Sequence, residues 1–348
     1  MRTGIVVTAR PGVEDLAARA EELGFSSFWV YDTPMVNGDP FVSLALCAKA
    51  TKRIKLGIGV TSPALRSAPA AAAAVASLNA IAPGRVICGI GTGNTARRTL
   101  GMLPTTMAEL ERFTASLQDL TAGRDTGYTE KTRTRTVRFL HVGPYVNTED
   151  PVEFVVAAFG LKAAAIAGRR GTGVISFGLL DPNAWEAFEQ TRIAAAGEAG
   201  HPAEADSYVM TSLHVLAEGE DPYGELARDT MGHIAMALLT FAADNPSFGE
   251  SLEPDEADAV ARLLHRRGTT ATDPNRHATL YRNYLGRIDP ADRDLIVPSL
   301  VDKLGLIGTR QQLLTRIAAM EKAGIDEIVI QPVVEPEREM AELAALTA

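Results

Sequence analysis

Eight short apolar runs, each followed by a segment with helical spacing, recur along almost the whole chain, and no other feature restricts the fold as strongly. The runs fall at residues 3–8, 27–31, 54–58, 86–90, 153–157, 174–177, 207–217 and 327–331. Helical spacing predicts helices at 13–23, 40–51, 68–80, 105–122, 161–168, 183–199, 310–323 and 336–346, with Gly24 and Gly324 as natural stops. Thr105 or Thr106 is the expected cap of the helix at 105–122, with Glu109 in its first turn. Strands alternating with helices predict a parallel sheet, and eight of them predict a (β/α)8 TIM barrel with its active face at the carboxyl ends of the strands.

Two stretches interrupt the alternation. Residues 123–151 are polar and rich in threonine and arginine, which predicts a hairpin or extended insertion with one strand at 136–142. Residues 221–304 carry helical patterns and no clear strand, too long for a simple connection, which predicts a helical insertion or lid before the eighth strand. The whole of 1–348 is otherwise expected to form a single barrel domain, since barrels commonly use this length as one domain.

Composition excludes several functions. A net charge of -9 argues against a nucleic-acid partner. No apolar run is long enough to span a bilayer, and the N-terminus lacks the layout of a secretion signal, so a cytoplasmic location is expected. Two cysteines, Cys47 and Cys88, make neither a disulfide framework nor a zinc site, and the six histidines show no H-E-x-x-H spacing, so no metal is expected. His214, His233 and His277 are the histidines placed to meet a substrate. The basic run Lys131, Arg133, Arg135 and Arg138 alternates with threonine, as on a strand with a solvated face. An anion-binding role is the alternative.

The stretch from Arg85 to Gly101 carries the most chemistry. Val86, Ile87, Cys88 and Ile90 suit a strand buried on both faces, and Gly91 and Gly93 let the backbone bend and approach a ligand closely. Gly91 to Ala96 fits the dinucleotide fingerprint G-x-G-x-x-A, but no following strand offers the acidic residue that fingerprint requires. Three strand-helix units already precede the turn, which again favours the barrel. Polar strand ends at Asp32-Thr33, Val60-Thr61-Ser62, Gly91 to Thr95, Ala158-Phe159-Gly160 and Gly178 then define one mouth.

Here the chain resembles the luciferase-like flavin and deazaflavin oxidoreductases, above all the methylenetetrahydromethanopterin reductase branch. The pieces that carry the resemblance are FWVYDTP at 28–34, LGIGVTSPALRSAP at 56–69, GRVICGIGTGNTARRTLG at 84–101, VVAAFGLKAAAIAGRRGTGVI at 155–175 and LIGTRQQLLTRIAAMEKAGIDEIVI at 306–330. The resemblance implies a cis peptide between Gly59 and Val60, with Val60 and Thr61 forming a bulge against the cofactor ring. Asp32 and Thr33 match the position of an acidic residue often followed by histidine; with threonine here, Asp32 is the expected ionisable partner. Gly91, Thr92, Gly93 and Asn94 match the loop that approaches the ring or its ribityl chain. Ala158, Phe159, Gly160 and Leu161 match the turn that binds the cofactor phosphate at a helix N-terminus. Arg169 and Arg170 either add positive charge there or form a solvated helix end, and Arg133, Arg135 and Arg138 are placed to meet an acidic cofactor tail.

The implied activity is hydride transfer between the deazaflavin coenzyme F420 and a small organic substrate. The alternative is a reduced-FMN-dependent monooxygenase using O2 through a peroxyflavin and supplied by a flavin reductase. The resemblance also implies a homo-oligomer.

Overall fold

The computed structural model describes residues 1–347. Strands β1 (Arg2–Val7), β2 (Ser27–Val30), β3 (Lys55–Thr61) and β4 (Val86–Ile90) are followed by a small hairpin, β5 (Thr126–Glu130) and β6 (Arg133–Val137). Strands β7 (Glu153–Ala157), β8 (Gly173–Phe177), β9 (Ser207–Val215), β10 (Gly305–Gly308) and β11 (Glu327–Ile330) complete the set. Eight of these, all but β5, β6 and β10, pair in parallel in chain order, and β11 returns to β1 so that no edge remains. This closed circle is the expected TIM barrel.

Helices α1 (Val13–Glu22), α2 (Pro40–Ala50), α3 (Ala68–Ile81), α4 (Asn94–Arg98), α5 (Met107–Thr121), α6 (Leu161–Arg169) and α7 (Pro182–Ala199) follow the strands in turn. The long insertion after β9 contains α8 (Glu225–Asp244), α9 (Pro246–Gly249), α10 (Pro254–Arg267), α11 (Arg276–Leu280), a 3-10 turn at Pro290–Leu295 and α12 (Pro298–Leu304). Two further helices, α13 (Arg310–Lys322) and α14 (Pro336–Thr347), close the chain. No helix among the described residues is long and apolar enough to cross a membrane.

Side chains on the barrel strands alternate as the pleat requires, except at the irregularity of β3 between Ile58 and Thr61. Val6, Trp29, Ile87, Val155, Ile175, Tyr208, Met210 and Val329 pack together inside the barrel. Their neighbours Ile5, Val7, Phe28, Val30, Leu56, Ile58, Cys88 and Val156 face the helices in a separate cluster. On β3 the inward positions are Gly57 and Gly59: the Trp29 indole occupies the space a Gly57 side chain would need, and a Cβ at Gly59 would lie 3.1 Å from Met210 Cε.

Three local expectations change. The third strand, predicted to end at 58, runs on to Thr61 with a register irregularity between Ile58 and Thr61. The hairpin strand lies at Arg133–Val137 rather than 136–142, paired with Thr126–Glu130 across a two-residue turn in which Lys131 has φ 53. Gly305–Gly308, where the sequence predicts no strand, is one that pairs with the carboxyl half of β9, beyond the reach of β8. Its two glycines hide it from a pattern built on apolar alternation.

The amino ends of the strands carry a buried polar network. Ser27 donates to Glu327, Trp29 Nε1 donates to Ser27 Oγ at 2.6 Å, and Tyr208 donates to Glu153. Lys55 pairs with Glu153 at 2.6 Å, and Arg2 with Asp206 at 2.9 Å and Glu327 at 3.3 Å. This end of a barrel serves stability, since chemistry occurs at the other end.

Burial pushes the Glu327 carboxyl from its ordinary 4.5 up to about 7, opposed by its bond from Ser27 and by Arg2. The folded state therefore holds a proton that the unfolded chain releases, and stability falls as pH rises between those values. Glu327→Gln removes this dependence: unfolding free energy followed by denaturant between pH 5 and pH 8 is expected to fall less in the variant, by up to about 3 kcal/mol.

Candidate active site

At the carboxyl end of β2, Asp32 is only 2% exposed, and Thr33 behind it is buried as well. The Thr33 carbonyl accepts from the backbone N–H groups of Asn37 at 3.1 Å and Val36 at 3.3 Å, which turns the chain sharply at the rim. Arg66, from the loop after β3, donates to the Asp32 carboxylate and, at 2.6 Å, to Asp39 Oδ2; its guanidinium lies 4.8 Å from the centre of the Phe41 ring. Burial raises the Asp32 carboxyl above its ordinary 3.8, and Arg66 opposes that rise. Asp32 is thus a fixed, paired group rather than a free acid. Arg66 stands within the quoted run LGIGVTSPALRSAP, but its partner 34 residues earlier is invisible to spacing.

The next two strands form a shaped wall. The Gly59–Val60 peptide is cis, as the resemblance implies. Val60 is half-buried, while Thr61 and Ser62 are fully buried. A Cβ at Gly89 would lie 2.6 Å from Val60 Cγ1, and one at Gly91 would lie 2.9 Å from Val60 Cγ2 and 3.2 Å from the Ala157 Cβ. Val60 therefore sits against bare backbone on β4. Gly93, at φ 72, faces Ser62, whose Oγ would lie 2.6 Å from a Cβ there.

Hydrogen bonds pin the loop after β4. Gly91 N–H donates to the Thr61 carbonyl at 2.8 Å, and the Thr92 carbonyl accepts from Thr105 N–H at 3.0 Å and Thr105 Oγ1 at 2.9 Å. Asn94 Oδ1 accepts from Arg98 Nε at 2.8 Å. Thr105 thus holds the loop, and Thr106 with Glu109 forms the capping box of α5.

The helix N-termini that face the mouth are mostly filled by the chain's own acids. Asp39 caps α2, Thr106 and Glu109 cap α5, and Asp181 caps α7. Acidic side chains lie in the first turns of α1 and α8. Glu339 accepts from the N–H groups of Val333, Val334 and Glu335 in the loop after β11, a place where barrels often bind phosphate. Only α3 and α6, among the longer helices directly after barrel strands, have neither a side-chain cap bond nor a first-turn acid, and Pro69 removes an N–H from α3. The N-terminus of α6 follows Ala158, Phe159, Gly160 and Leu161. Ala158 is buried and its N–H donates to the Ile175 carbonyl at 3.0 Å, whereas Phe159 is 72% exposed and Gly160 has open space around it. With free N–H groups, a dipole and Lys162 in its first turn, this end suits an anion.

The insertion rests on the same mouth. Thr95 Oγ1 and Tyr284 Oη lie 3.3 Å apart, Arg98 pairs with Asp244 at 2.9 Å, and Thr211 Oγ1 donates to the Leu304 carbonyl at 2.7 Å. Tyr284 and Leu285 join the apolar group inside the barrel with Val60, Ala157, Phe177 and Met210. No repeat or motif in the sequence marks these two residues.

Other expected groups are held in internal contacts or lie elsewhere on the fold. The helix α5 returns to the amino end of the barrel, so the hairpin with Arg133, Arg135 and Arg138 leaves from the opposite face; Asn147 beyond it bonds to Ala76 and Asn79 on α3, and Arg138 pairs with Asp125. An acidic cofactor tail at the mouth does not meet them. Arg169 and Arg170 close α6 at the end away from Gly160, Arg169 in a two-point pair with Glu111 and Arg170 against Gln118. His214 pairs with Glu220 at 2.6 Å. Burial pushes His233 down to about 3, so it stays neutral beside Ser212 at 3.1 Å. His277 packs against Gly101, its Nδ1 2.7 Å from where a Cβ would stand.

Comparison with known proteins bears on the family and the fold. A family model described as luciferase-like monooxygenase matches residues 7–327. The limonene 1,2-monooxygenase of Rhodococcus erythropolis is 28% identical over 254 residues, 69% of this chain and 63% of that protein. An F420-dependent glucose-6-phosphate dehydrogenase of Kineococcus radiotolerans is 34% identical over 177 residues, 47% of this chain and 52% of that protein. The chain thus spans half to about two thirds of these relatives. The structure of the coenzyme F420 dependent tetrahydromethanopterin reductase from Methanopyrus kandleri superposes with a TM-score of 0.68 at 18% identity, covering 99% of this chain and 97% of that one, which establishes likeness of fold.

Removing Arg66 leaves Asp32 buried without its cation. Arg66→Met is expected to destabilise the protein by about 3 kcal/mol at pH 8 and by clearly less at pH 5. The sign follows from linkage: an unpaired, buried carboxyl keeps its proton above the value at which the unfolded chain loses it, so the deficit grows as pH rises. Urea titrations at the two pH values measure it.

Proposed function

The chain belongs to the luciferase-like monooxygenase family and is a luciferase-like oxidoreductase, and from that premise we propose that it transfers a hydride between the deazaflavin coenzyme F420 and a small organic substrate. The observation that carries the proposal is the pairing of two features on neighbouring strands: Val60 standing out against Gly89 and Gly91, and the open N-terminus of α6 one strand further round the barrel. The first offers an apolar ridge to a flat tricyclic ring. The second offers free N–H groups to a phosphate, and such groups exist at the mouth in few other places. The residues present therefore fit a flavin-type cofactor.

In this reading Gly59, Val60 and Thr61 support the ring, Gly91, Thr92, Gly93 and Asn94 border it, and Ala158, Phe159, Gly160 and Leu161 hold the phosphate. A deazaflavin bound there supplies two-electron hydride chemistry, and the protein supplies alignment and electrostatics. Asp32, kept in place by Arg66, presents a fixed negative charge at the rim, and Thr33 supports the turn that positions it. The apolar chamber made by Val60, Ala157, Phe177 and Met210 keeps water from the reacting atoms. What supports a deazaflavin is that the Kineococcus and Methanopyrus proteins are F420-dependent by name. The Rhodococcus relative, a monooxygenase aligned over more of this chain, favours the second reading, oxygen chemistry with reduced FMN.

Anaerobic titration of the purified protein with F420 and with oxidised and reduced FMN, followed by absorbance and fluorescence, tests the choice. F420 is expected to bind at least tenfold more tightly than either form of FMN; preference for reduced FMN would move the assignment to oxygen chemistry, and binding of none would remove the cofactor reading. Gly91→Ala places a methyl 2.9 Å from Val60 Cγ2. It is expected to weaken F420 about tenfold or more while lowering the thermal midpoint by only a few degrees.

A further inference from the structure

One short segment of the insertion, residues 283–286, reaches into the barrel, and its backbone is unusual. Asn283 and Leu285 both have left-handed backbones, φ 60 and φ 59. Asparagine tolerates that region, but for leucine it costs about 1 kcal/mol or more and requires compensation. Two contacts supply it. The Leu285 side chain is 6% exposed, packed with Trp29, Tyr31, Met210 and Val329 inside the barrel. Its carbonyl accepts from Gln331 Nε2 at 2.6 Å.

Gln331, at the carboxyl end of β11, is itself buried and fixed on its other side by Tyr31, whose hydroxyl donates to Gln331 Oε1 at 2.9 Å. The amide is therefore oriented by β2 and spends its N–H on the insertion. Next to Leu285, the Tyr284 hydroxyl meets Thr95 in the loop after β4. A chain of neutral contacts thus runs from β2 through Gln331 and the 283–286 segment to the Gly91–Thr95 loop.

We propose that Gln331 is a positioning residue: by seating residues 283–286 in the mouth it couples the insertion to the Gly91–Thr95 loop, so that order of this segment and occupancy of the cofactor site rise together. The seating follows from geometry alone; the coupling rests on the reading of the Gly91–Thr95 loop as a cofactor contact. By reciprocity, a ligand at that loop protects the segment by the same factor by which the seated segment tightens the ligand.

Hydrogen exchange on the full chain, with and without F420, reads this directly through the amides of Tyr281, Tyr284 and Gly286, which bond to His277, Tyr281 and Asn283. Gln331→Met, similar in size but unable to donate, is expected to speed their exchange about tenfold, as for loss of one buried hydrogen bond. Tyr31→Phe keeps the bond to Leu285 and is expected to change them less than twofold. F420 is expected to slow these amides in the native protein and to bind several-fold more weakly to Gln331→Met. Unchanged exchange in Gln331→Met without ligand would overturn the seating. Should that variant fail to fold, Gln331→Ala, which also removes the donation to the Leu285 carbonyl, gives the same reading: faster exchange confined to this segment supports the proposal, and no change overturns it. Failure of F420 to bind at all would end the coupling together with the cofactor reading, while the ligand-free comparison decides the seating independently.

Discussion

A single indole sets the floor of the mouth. Trp29 lies wholly buried inside the barrel, edge-on to Tyr208 at 5.1 Å between ring centres, with its N–H held by Ser27. Below it are the charged groups at the amino ends of the strands; above it the interior is apolar. Its bulk dictates the sequence beside it. Gly57 has no room for a side chain, and a Cβ at Gly59 would come within 3.1 Å of Met210 Cε. Val60 is the first residue on β3 whose side chain reaches past this crowding. It then leans on Gly89 and Gly91 of the next strand for the same steric reason. The ridge proposed to carry the ring is thus a consequence of how one large side chain is packed on the neighbouring strand.

Electrostatics narrows the mouth as much as packing does. Most helix N-termini around it are already satisfied by the protein's own carboxylates, with Glu339 occupying the loop after β11 much as a phosphate would. The charged groups at the rim are largely paired internally, Arg66 with Asp32 and Asp39, Arg98 with Asp244. What remains open to an anion is chiefly the first turn of α6, and its neighbours are the exposed Phe159 and the unobstructed Gly160.

The architecture was legible in the sequence because buried parallel strands read as continuous apolar runs and the helices between them keep their period. Gly24, Thr106 and Gly324 end or begin helices close to where local chemistry predicts. Legibility failed where the deciding interaction is long-range. The strand Gly305–Gly308 exists because β9 is long enough to pair beyond β8, a fact about another part of the chain. Arg66 matters through Asp32, and Gln331 through Tyr31 and Leu285, and no local pattern joins those positions. The basic hairpin looked suitable for an acidic tail by composition alone, yet the direction in which α5 runs carries it to the other face.

The central claim is geometric: a tricyclic ring rests on Val60 while its phosphate sits on the N-terminus of α6. A crystal structure of the protein soaked with F420 tests this most directly. The account predicts ring atoms in van der Waals contact with Val60 and phosphate oxygens within hydrogen-bond distance of the Leu161 and Lys162 N–H groups. A phosphate bound at any other helix end, or a ring lying away from Val60, would contradict it.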